Sequence, residues 1–332
     1  MKNYDVYGIG NALVDTEYEV DDAFLEHAKL PKGIMTLIEE DDRQRLIQLL
    51  EHEHEHLAIK QAGGGSAANT MVIVSQLGGS AFYSCKVAND ATGDFFVKDL
   101  AAAEVDTNLG ADREDGATGQ CISMVTPDAE RTMTTCLGIT NFLSTKELNP
   151  DALRNSATLY IEGYLVSSVT GYQAALEAQA IARSAGVTVS LTLSDPAMVE
   201  NFKSNYEQLL DRGVDLLFCN HDEARLLTGA DSADDCVNAL KGIVPKFVMT
   251  CGSAGSIAWD GDRVISTEGV PTTAVDTTGA GDIFAGAFMY ALSKGEDFAS
   301  ANKLANKSAS LLVSRFGARL TQEQVDADLK QA

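Results

Sequence analysis

The sequence predicts an α/β protein that is built on a mostly parallel β-sheet and carries a small additional β-sheet. Short apolar runs alternate along the chain with helical patterns of roughly 10–15 residues, which is typical of right-handed βαβ units. Two regions replace this rhythm with strand-like alternation of polar and apolar residues, and they predict the additional sheet. The length of 332 residues allows one large domain or two smaller ones. Because no low-complexity linker is present, we expect a single domain over residues 1–332.

The predicted strands are short, apolar and bounded by glycine or polar residues. They cover residues 4–11, 81–88, 158–166, 187–194, 214–220 and 246–252. The predicted helices carry apolar residues at helical spacing, and some end at a glycine such as Gly78 or Gly186. They cover residues 67–78, 92–105, 170–186, 205–213, 221–229, 233–243, 278–295 and 297–317.

The additional β-sheet is predicted in two regions, about 17–39 and about 116–137. Pro127 and Asp128 separate two alternating runs of the second region and are typical of a hairpin turn. One biased run, EHEHEH, places His52 and His56 four residues apart. On a helix they could share a metal ion, and a solvated helix end is the simpler interpretation.

Charge and composition narrow the class of function. The chain has 25 basic and 48 acidic residues, so its net charge of −23 disfavours binding to nucleic acid or to an anionic membrane. Six scattered cysteines without a C-x-x-C motif predict reduced thiols in a cytoplasmic protein. The N-terminus does not have the pattern of a signal peptide, and no apolar stretch reaches the roughly 18 residues of a membrane-spanning helix.

The stretch DTTGAGDIFAGAF, residues 276–288, is a glycine-rich turn followed by a helical pattern. Gly279 and Gly281 permit tight or left-handed backbone, so N–H groups at the helix N-terminus could bind an anion without a lysine. Asp282 falls in the first turn of that helix, where the dipole favours an ionised carboxylate at neutral pH. A substrate hydroxyl between this carboxylate and the anion would allow Asp282 to accept its proton during phosphoryl transfer.

The same residues disfavour two other phosphate-binding motifs. A dinucleotide-binding fingerprint would need glycine at Phe284, and a P-loop would need lysine at Ala287. An ordinary tight turn with Asp282 as a helix cap also agrees with these residues. The motif alone therefore favours an anion site and leaves the helix cap open.

Two polar stretches near the N-terminus predict ligand contacts. GIGNALVD places Asn11 and Asp15 after the first strand, at the edge where open α/β sheets bind ligands. GGGSAANT, residues 63–70, opens a helix with glycines that let a ligand approach, and Asn69 offers a donor and an acceptor. Such groups suit a polyhydroxyl ligand, while turn and helix-start roles are the alternatives.

Three features of the remaining chain could contact phosphate or nucleotide. FCNHDE ends a strand at Asn220 and puts Glu223 in the next helical turn, so the pair could order Mg²⁺ or cap the helix. MTCGSAGS, residues 249–256, is glycine-rich, but position 251 is cysteine, so it is not a G-x-S-x-G motif. Arg131 is either a surface residue or a side chain that neutralises a phosphate.

Taken in order, these stretches resemble the ribokinase-like (PfkB) sugar and nucleoside kinases. GGGSAANTMVIVSQLGG and DTTGAGDIFAGAF are similar to the two signatures of that family, NHDE to its N-x-x-E motif, and TCGSAGS to its T-x-G-x-x-G nucleotide loop. The resemblance spans nearly the whole chain. It implies a three-layer α/β/α fold with a small β-sheet lid, formed by about 15–40 and about 112–140. It also implies ATP- and Mg²⁺-dependent phosphorylation of a primary alcohol.

The resemblance assigns roles to residues at matching positions. Asp282 would be the base, Arg131 a phosphate contact, and the anion hole would consist of the backbone of Gly279, Ala280, Gly281 and Asp282. The nucleotide side would comprise Asn220, Glu223, Thr250, Gly252, Gly255, Gly279, Gly281 and Asn306, with Glu223 holding Mg²⁺ through water. Many family members bind a monovalent cation such as K⁺, and the matching positions are Asp276, Thr278, Leu312, Arg315 and Gly317.

Within the family the chain most resembles the adenosine kinases, through GIGNALVD, the lid entry FLEHAKLPKGIMTLIEE and ERTM. The implied reaction is transfer from ATP to the 5′-hydroxyl of a nucleoside, adenosine giving AMP. The implied substrate site consists of Asn11, Asp15, Leu37, Gly64, Gly65, Ser66, Asn69, Met133, Leu137, Glu162, Tyr164 and Asp282.

Three differences keep a second substrate class open. Ala12 stands where proline is usual, Met35 stands where the animal enzymes have glutamine, and Glu162 is similar to the substrate-side glutamate of ribokinase. A small sugar such as ribose or fructose is therefore the alternative acceptor. Either way the partner is a small molecule, and the sequence allows a monomer or a homodimer.

Overall fold

Two β-sheets organise the chain in the computed structural model, which describes residues 3–53, 58–128 and 130–330. The strands are β1 Tyr4–Ile9, β2 Leu13–Glu19, β3 Met35–Leu37, β4 Ala58–Gly64, β5 Ala81–Ser84, β6 Val105–Thr107, β7 Gly119–Val125, β8 Arg131–Cys136, β9 Ser156–Ile161, β10 Thr188–Thr192, β11 Leu216–Asn220, β12 Phe247–Thr250, β13 Ser256–Trp259 and β14 Val264–Thr267. The larger sheet has the order β14-β13-β12-β11-β10-β9-β1-β5-β6, and the smaller sheet has the order β3-β8-β7-β2-β4.

Helices connect many of these strands. The α-helices are α1 Asp22–Ala28, α2 Glu40–Gln48, α3 Ser66–Gln76, α4 Ala91–Ala102, α5 Pro150–Arg154, α6 Val169–Ser184, α7 Pro196–Asp211, α8 His221–Thr228, α9 Ala233–Leu240, α10 Ala280–Ser293, α11 Phe298–Val313 and α12 Gln322–Asp328. Short 3₁₀ turns lie at Gly138–Phe142, Thr145–Glu147, Gly163–Ser167 and Gly252–Ala254, and one π turn at Leu49–Glu53.

The larger sheet is buried on both faces, as a parallel sheet between two helix layers requires. Neighbouring residues of β11 show this directly, since Phe218 packs with the apolar faces of α3, α10 and α11, whereas Leu217 packs with those of α6, α7 and α9. The strands from β1 to β12 in this sheet pair in parallel, and β13 and β14 add an antiparallel edge. The predicted ribokinase-like α/β class is therefore confirmed.

The smaller sheet, called the lid sheet below, has one face covered by α1 and α2. Tyr18, Ile122 and Met124 from its strands form a separate apolar cluster with Phe24 and Leu46 from these helices. Because side chains alternate along a strand, the opposite face carries Asp15, Glu17, Ser123, Arg131 and Met133. Residues of that face line the cavities described below.

Most predicted elements are present, and the differences are local. The hairpin predicted within about 116–137 is confirmed as β7 and β8, with a turn at Pro127 and Asp128. The region of about 17–39 is only partly a strand, because Asp21 caps the short helix α1 there. The strand predicted over 158–166 ends at Ile161, where the chain enters a 3₁₀ turn. Strands β4, β6, β13 and β14 lie outside the predicted set.

The histidine pair proposed as a metal alternative lies outside the described residues, since neither the His52 side chain nor any part of His56 is described. In the described part of the chain, no helix is both long and apolar enough to cross a membrane.

Candidate active site

The glycine-rich stretch forms the turn into α10, and its backbone conformation explains the glycine at position 279. Gly279 is the residue that caps the helix and has a left-handed φ of 77°. A Cβ there would lie 2.7 Å from the carbonyl oxygen of Ala318, so a side chain is excluded on two grounds. At Gly281 a Cβ would meet no described atom within 4 Å, because the space over the first turn is open.

This turn lines a cavity of about 630 Å³ at the carboxyl ends of the central strands. Its wall includes residues that follow four parallel strands: Asn11 after β1, Glu162 after β9, Asn220 at the end of β11 and Thr250 at the end of β12. Open α/β sheets bind ligands at this edge. We call it the main cavity.

Within the main cavity, the Asp282 carboxylate is held by two residues of α3. Ser66 Oγ donates a hydrogen bond of 2.6 Å to Oδ1, and Asn69 Nδ2 donates one of 2.9 Å to Oδ2. Thr70 Oγ1 lies 3.2 Å from the Asp282 main-chain oxygen. Burial raises the pKa of Asp282, and the hydrogen bonds from Ser66 and Asn69 act in the opposite direction. The carboxylate thus has a fixed orientation and an environment suited to a proton acceptor.

Asp282 keeps its place because α10 is anchored by aromatic packing. Phe288 contacts Phe218 of β11 and Phe298 of α11 edge to face, with ring centroids 5.7 Å and 5.1 Å apart. Such pairs contribute about 0.5–1.5 kcal/mol each beyond the area they bury. The apolar spacing that predicted this helix is therefore what positions its first turn.

Asp15 lies on the cavity-facing side of the lid sheet, next to the N-terminus of α3. The described residues donate no hydrogen bond to its carboxylate. Burial raises its pKa to about 6, while the charge of Arg319 lowers it. Gly64 leaves room for this carboxylate, since a Cβ at that position would lie 2.5 Å from Asp15 Oδ2 and would displace it. A carboxylate with free acceptor capacity in a cavity wall can accept hydrogen bonds from ligand hydroxyls.

Glu162 lines the same cavity, but protein groups already bind both of its oxygens. Oε1 accepts hydrogen bonds from the backbone N–H and the side-chain Nδ2 of Asn11, both at 3.1 Å. Oε2 accepts one from the Ala67 N–H at 2.8 Å. The side chain is 1% exposed, and burial raises its pKa to about 7. Glu162 therefore joins the loop after β1 to the N-terminus of α3, and the structure does not show it free to contact a ligand.

Asn220 and Glu223 form a reciprocal cap at the start of α8. The Asn220 side chain accepts from the Glu223 N–H at 2.8 Å, and Glu223 Oε2 accepts from the Asn220 N–H at 2.8 Å. Burial raises the pKa of Glu223 to about 7. Both residues line the main cavity and present oxygen atoms, which are the ligands Mg²⁺ prefers. This donor set fits Mg²⁺ when phosphate oxygens and water complete the coordination.

The other predicted contacts divide between the main cavity and its surroundings. The cavity lining includes Leu37, Gly65, Ser66, Asn69, Met133, Leu137, Tyr164, Thr250, Gly252, Thr278, Gly279, Ala280 and Gly281. It does not include Gly64, Arg131, Gly255, Asp276, Asn306, Leu312, Arg315 or Gly317. Asn306 instead donates to the Ser256 hydroxyl at 2.6 Å in the interior. Its predicted adenine contact and that of Gly255 with the nucleotide stay predictions.

At the predicted monovalent-cation site, protein groups already bind the carboxylate of Asp276. Asp276 Oδ2 accepts hydrogen bonds from Arg131 Nη1 and from the Gly317 N–H, each at 2.8 Å. Oδ1 accepts one from the Thr278 N–H at 3.0 Å. The Leu312 carbonyl accepts from the backbone N–H of Arg315 at 3.0 Å within the helix end. The residues present do not fit a K⁺ site, since a guanidinium already neutralises the carboxylate.

One residue of the site was absent from the sequence prediction. Arg319 Nε donates to Asn69 Oδ1 at 2.7 Å, and Nη1 pairs with Asp99. It thereby fixes the amide of Asn69, whose Nδ2 then points at Asp282. Arg319 follows α11 outside any of the recognised motifs, so only the packing of the chain brings it here.

An α/β fold with a small second sheet, an open helix start and an adjacent buried carboxylate is typical of small-molecule phosphotransferases. Residues 34–325 match the family model described as pfkB family carbohydrate kinase. The chain therefore belongs to the PfkB family, whose members are ATP-using kinases.

Similar proteins include both nucleoside and sugar kinases. The structure of adenosine kinase from Sinorhizobium meliloti is 33% identical with a TM-score of 0.88, and the match covers 100% of both chains. That of a probable sugar kinase from Rhizobium etli is 30% identical with a TM-score of 0.88, covering 100% of this chain and 99% of the other. A ribokinase from Staphylococcus aureus is 28% identical over 284 residues, which is 83% of this chain and 90% of the ribokinase.

Proposed function

We propose that this protein transfers the γ-phosphoryl group of ATP to the 5′-hydroxyl of a nucleoside, with adenosine as substrate and AMP as product. The observation that carries the proposal is the pairing of Asp282 with the open helix start. Its carboxylate is oriented by Ser66 and Asn69, beside the backbone of Gly279 and Gly281 in the same cavity wall.

In this mechanism the acceptor hydroxyl lies between Asp282 and the phosphoryl group. Asp282 accepts the proton of the hydroxyl as the new P–O bond forms and the bond between the γ-phosphorus and the bridging oxygen breaks, so that ADP leaves. The N–H groups at the start of α10 stabilise charge on the transferring oxygens. Mg²⁺, held on the side of Asn220 and Glu223, would neutralise charge on the nucleotide phosphates.

A nucleoside is favoured over a plain sugar by the apolar character of the lid side. Leu37 and Met35 are 60% and 50% exposed, yet both line the main cavity, together with Met133 and Leu137. Exposed apolar side chains that converge on one cavity indicate a ligand with an apolar face. A purine base has such a face and a free pentose does not, so we place the base against the lid and the ribose near Asp15 and Asn69.

The decisive experiment is a screen for acceptor-dependent ADP release with adenosine, inosine, guanosine, ribose and fructose. We expect the highest kcat/KM with adenosine. 5′-Deoxyadenosine is the matched control, because it keeps the base and the ring but lacks the accepting hydroxyl, and it should inhibit without turnover. Turnover of ribose or fructose with poor use of all nucleosides would overturn the nucleoside assignment in favour of the sugar-kinase alternative.

A further inference from the structure

Arg131 connects the lid sheet to the loop that precedes α10. Its Nη1 donates to Asp276 Oδ2 at 2.8 Å, and its Nη2 donates to Glu17 Oε2 at 2.9 Å. The guanidinium also lies over the ring of Phe316, 5.1 Å from the centroid. Arg131 lines a second cavity of about 620 Å³ on the other side of Asp15 and is not part of the main-cavity wall. Its positive charge is therefore directed at the carboxylates of Asp276 and Glu17 and not into the main cavity.

Asp276 in turn joins three parts of the structure. It accepts hydrogen bonds from Arg131 of β8, from the Gly317 N–H after α11, and from the Thr278 N–H in the turn before α10. Its side chain is 6% exposed, and it pairs with an Arg131 side chain that is 18% exposed. Thr278 directly precedes the left-handed Gly279. A displacement of the Asp276 carboxylate would therefore move Thr278, and with it the adjacent anion-binding turn.

We infer that Arg131 takes the place of a monovalent cation at Asp276, so that the protein orders its anion-binding turn without K⁺. A guanidinium stays protonated and cannot dissociate from the chain, unlike a bound ion. The planar guanidinium donates hydrogen bonds to two carboxylates at once, whereas a spherical ion would need further ligands to complete its coordination. Since Arg131 belongs to the lid sheet, the same contact links the position of the lid to the order of the turn.

Two further features of this region disfavour an additional cation. A Cβ on Gly317 would lie 3.1 Å from Lys60 Nζ, so a second positive side chain is already near the predicted carbonyl shell. The pKa of Asp276 is lowered, with hydrogen bonds from Gly317 and Thr278 and the charge of Arg131 as the stabilising causes. An incoming cation would meet a carboxylate that already pairs with Arg131, and two positive side chains that repel it.

This inference rests on the proposed kinase function for its activity measurement, and a second measurement is independent of it. Turnover is measured with the best acceptor from the screen, in KCl and in tetramethylammonium chloride at equal ionic strength. Melting of the nucleotide-free protein is followed in the same two salts and needs no acceptor. A wrong substrate assignment therefore leaves the melting result interpretable.

For the wild-type protein we expect the two salts to give kcat values within about twofold and the same melting temperature. Arg131→Ala leaves Asp276 without its cation and makes room for an ion. We expect its kcat in tetramethylammonium chloride to fall by about tenfold or more, and KCl to restore most of that loss. KCl should also raise its melting temperature, as an ion that binds only the folded state does. Arg131→Lys keeps a positive charge and should remain active in both salts.

Glu17→Gln is the matched control, because it alters the other arm of the guanidinium and leaves Asp276 paired. This variant should stay insensitive to the choice of salt. A wild-type protein that loses about tenfold or more of its turnover without K⁺ would overturn the inference. So would an Arg131→Ala variant that KCl rescues in neither kcat nor melting, as a direct phosphate contact of Arg131 predicts. If Arg131→Ala does not fold, the wild-type protein and Arg131→Lys still test the inference, since both should show the same turnover and melting temperature in the two salts.

Discussion

The Ser66 hydroxyl donates a 2.6 Å hydrogen bond to the Asp282 carboxylate, although the two residues lie 216 positions apart in the sequence. The contact exists because α3 and α10 pack together in one apolar core and begin side by side at the main cavity. Asn69, one turn further along α3, holds the other carboxylate oxygen. The orientation of the proposed base is thus set by the packing of two helices and not by a local turn.

Asp282→Asn is expected to reduce kcat by about 10²–10⁴-fold, which is the usual contribution of a general base. The amide has nearly the same shape as the carboxylate but cannot accept the proton of the hydroxyl at neutral pH. Rapid-quench kinetics would measure the loss in the chemical step, and titration calorimetry would show whether ATP and nucleoside still bind. Wild-type-like turnover by this variant would exclude Asp282 as the base.

Ser66→Ala is expected to move the acid limb of the kcat profile to higher pH. The Ser66 hydrogen bond lowers the pKa of Asp282, so removing it raises that pKa, and a higher pH is needed to keep the base ionised. Thr70→Val is the control, because the Thr70 hydroxyl contacts the main-chain oxygen of Asp282 and not its carboxylate. An acid limb that shifts equally in both variants would argue against the specific role of Ser66.

Hydrophobic periodicity was sufficient to predict most of the larger sheet, because each buried strand or helix presents one repeating apolar pattern. It was insufficient for β6, β13 and β14, which are three or four residues long and carry too few positions to show a period. Helix α1 was missed for a similar reason, since its seven residues were read together with the strands around them.

The site could be predicted where the sequence keeps its members close together, as in the stretch from Gly279 to Asp282. Contacts between distant segments were beyond the reach of local patterns. Arg131 and Asp276 are 145 residues apart in the sequence, and they form an ion pair. Arg131 was predicted to contact a phosphate and Asp276 to bind a monovalent cation, and each of these contacts would compete with the ion pair. Glu162 was expected on the substrate side and does line the main cavity, but its hydrogen bonds from the backbone N–H groups of Asn11 and Ala67 were not foreseen. These pairings depend on tertiary packing, which periodicity does not encode.

Gly279→Ala and Gly281→Ala are expected to differ although the residues are two positions apart. Alanine at 279 must adopt a left-handed backbone and would crowd the Ala318 carbonyl, so we expect a loss of stability of about 1–3 kcal/mol. Alanine at 281 meets no described atom, and its helix position gives a stability change between zero and a gain of about 1 kcal/mol.

Gly281→Ala, the variant expected to keep its stability, should nevertheless lose activity. If a phosphoryl group occupies the open space over α10, the methyl group of Gly281→Ala intrudes on it and lowers kcat in a fully folded protein. Urea unfolding and steady-state kinetics on the two variants separate these effects. A Gly281→Ala variant with unchanged kcat would place the transferring group elsewhere.

Glu162→Gln tests the buried carboxylate through the pH dependence of stability. Burial raises its folded pKa from 4.5 to about 7, so the folded state holds a proton that the unfolded chain has lost between these values. The free energy of unfolding should therefore fall as the pH rises through this window, by up to about 1.4 kcal/mol per pH unit from this group. Glutamine does not titrate, so the advantage of the wild-type protein over Glu162→Gln should be largest near pH 5 and smaller near pH 8.

Urea unfolding at both pH values measures this difference, with Glu177→Gln on the exposed face of α6 as the control that should leave the pH dependence unchanged. A constant difference between wild type and Glu162→Gln across the window would show that the buried carboxylate keeps its charge, held by the N–H groups of Asn11 and Ala67.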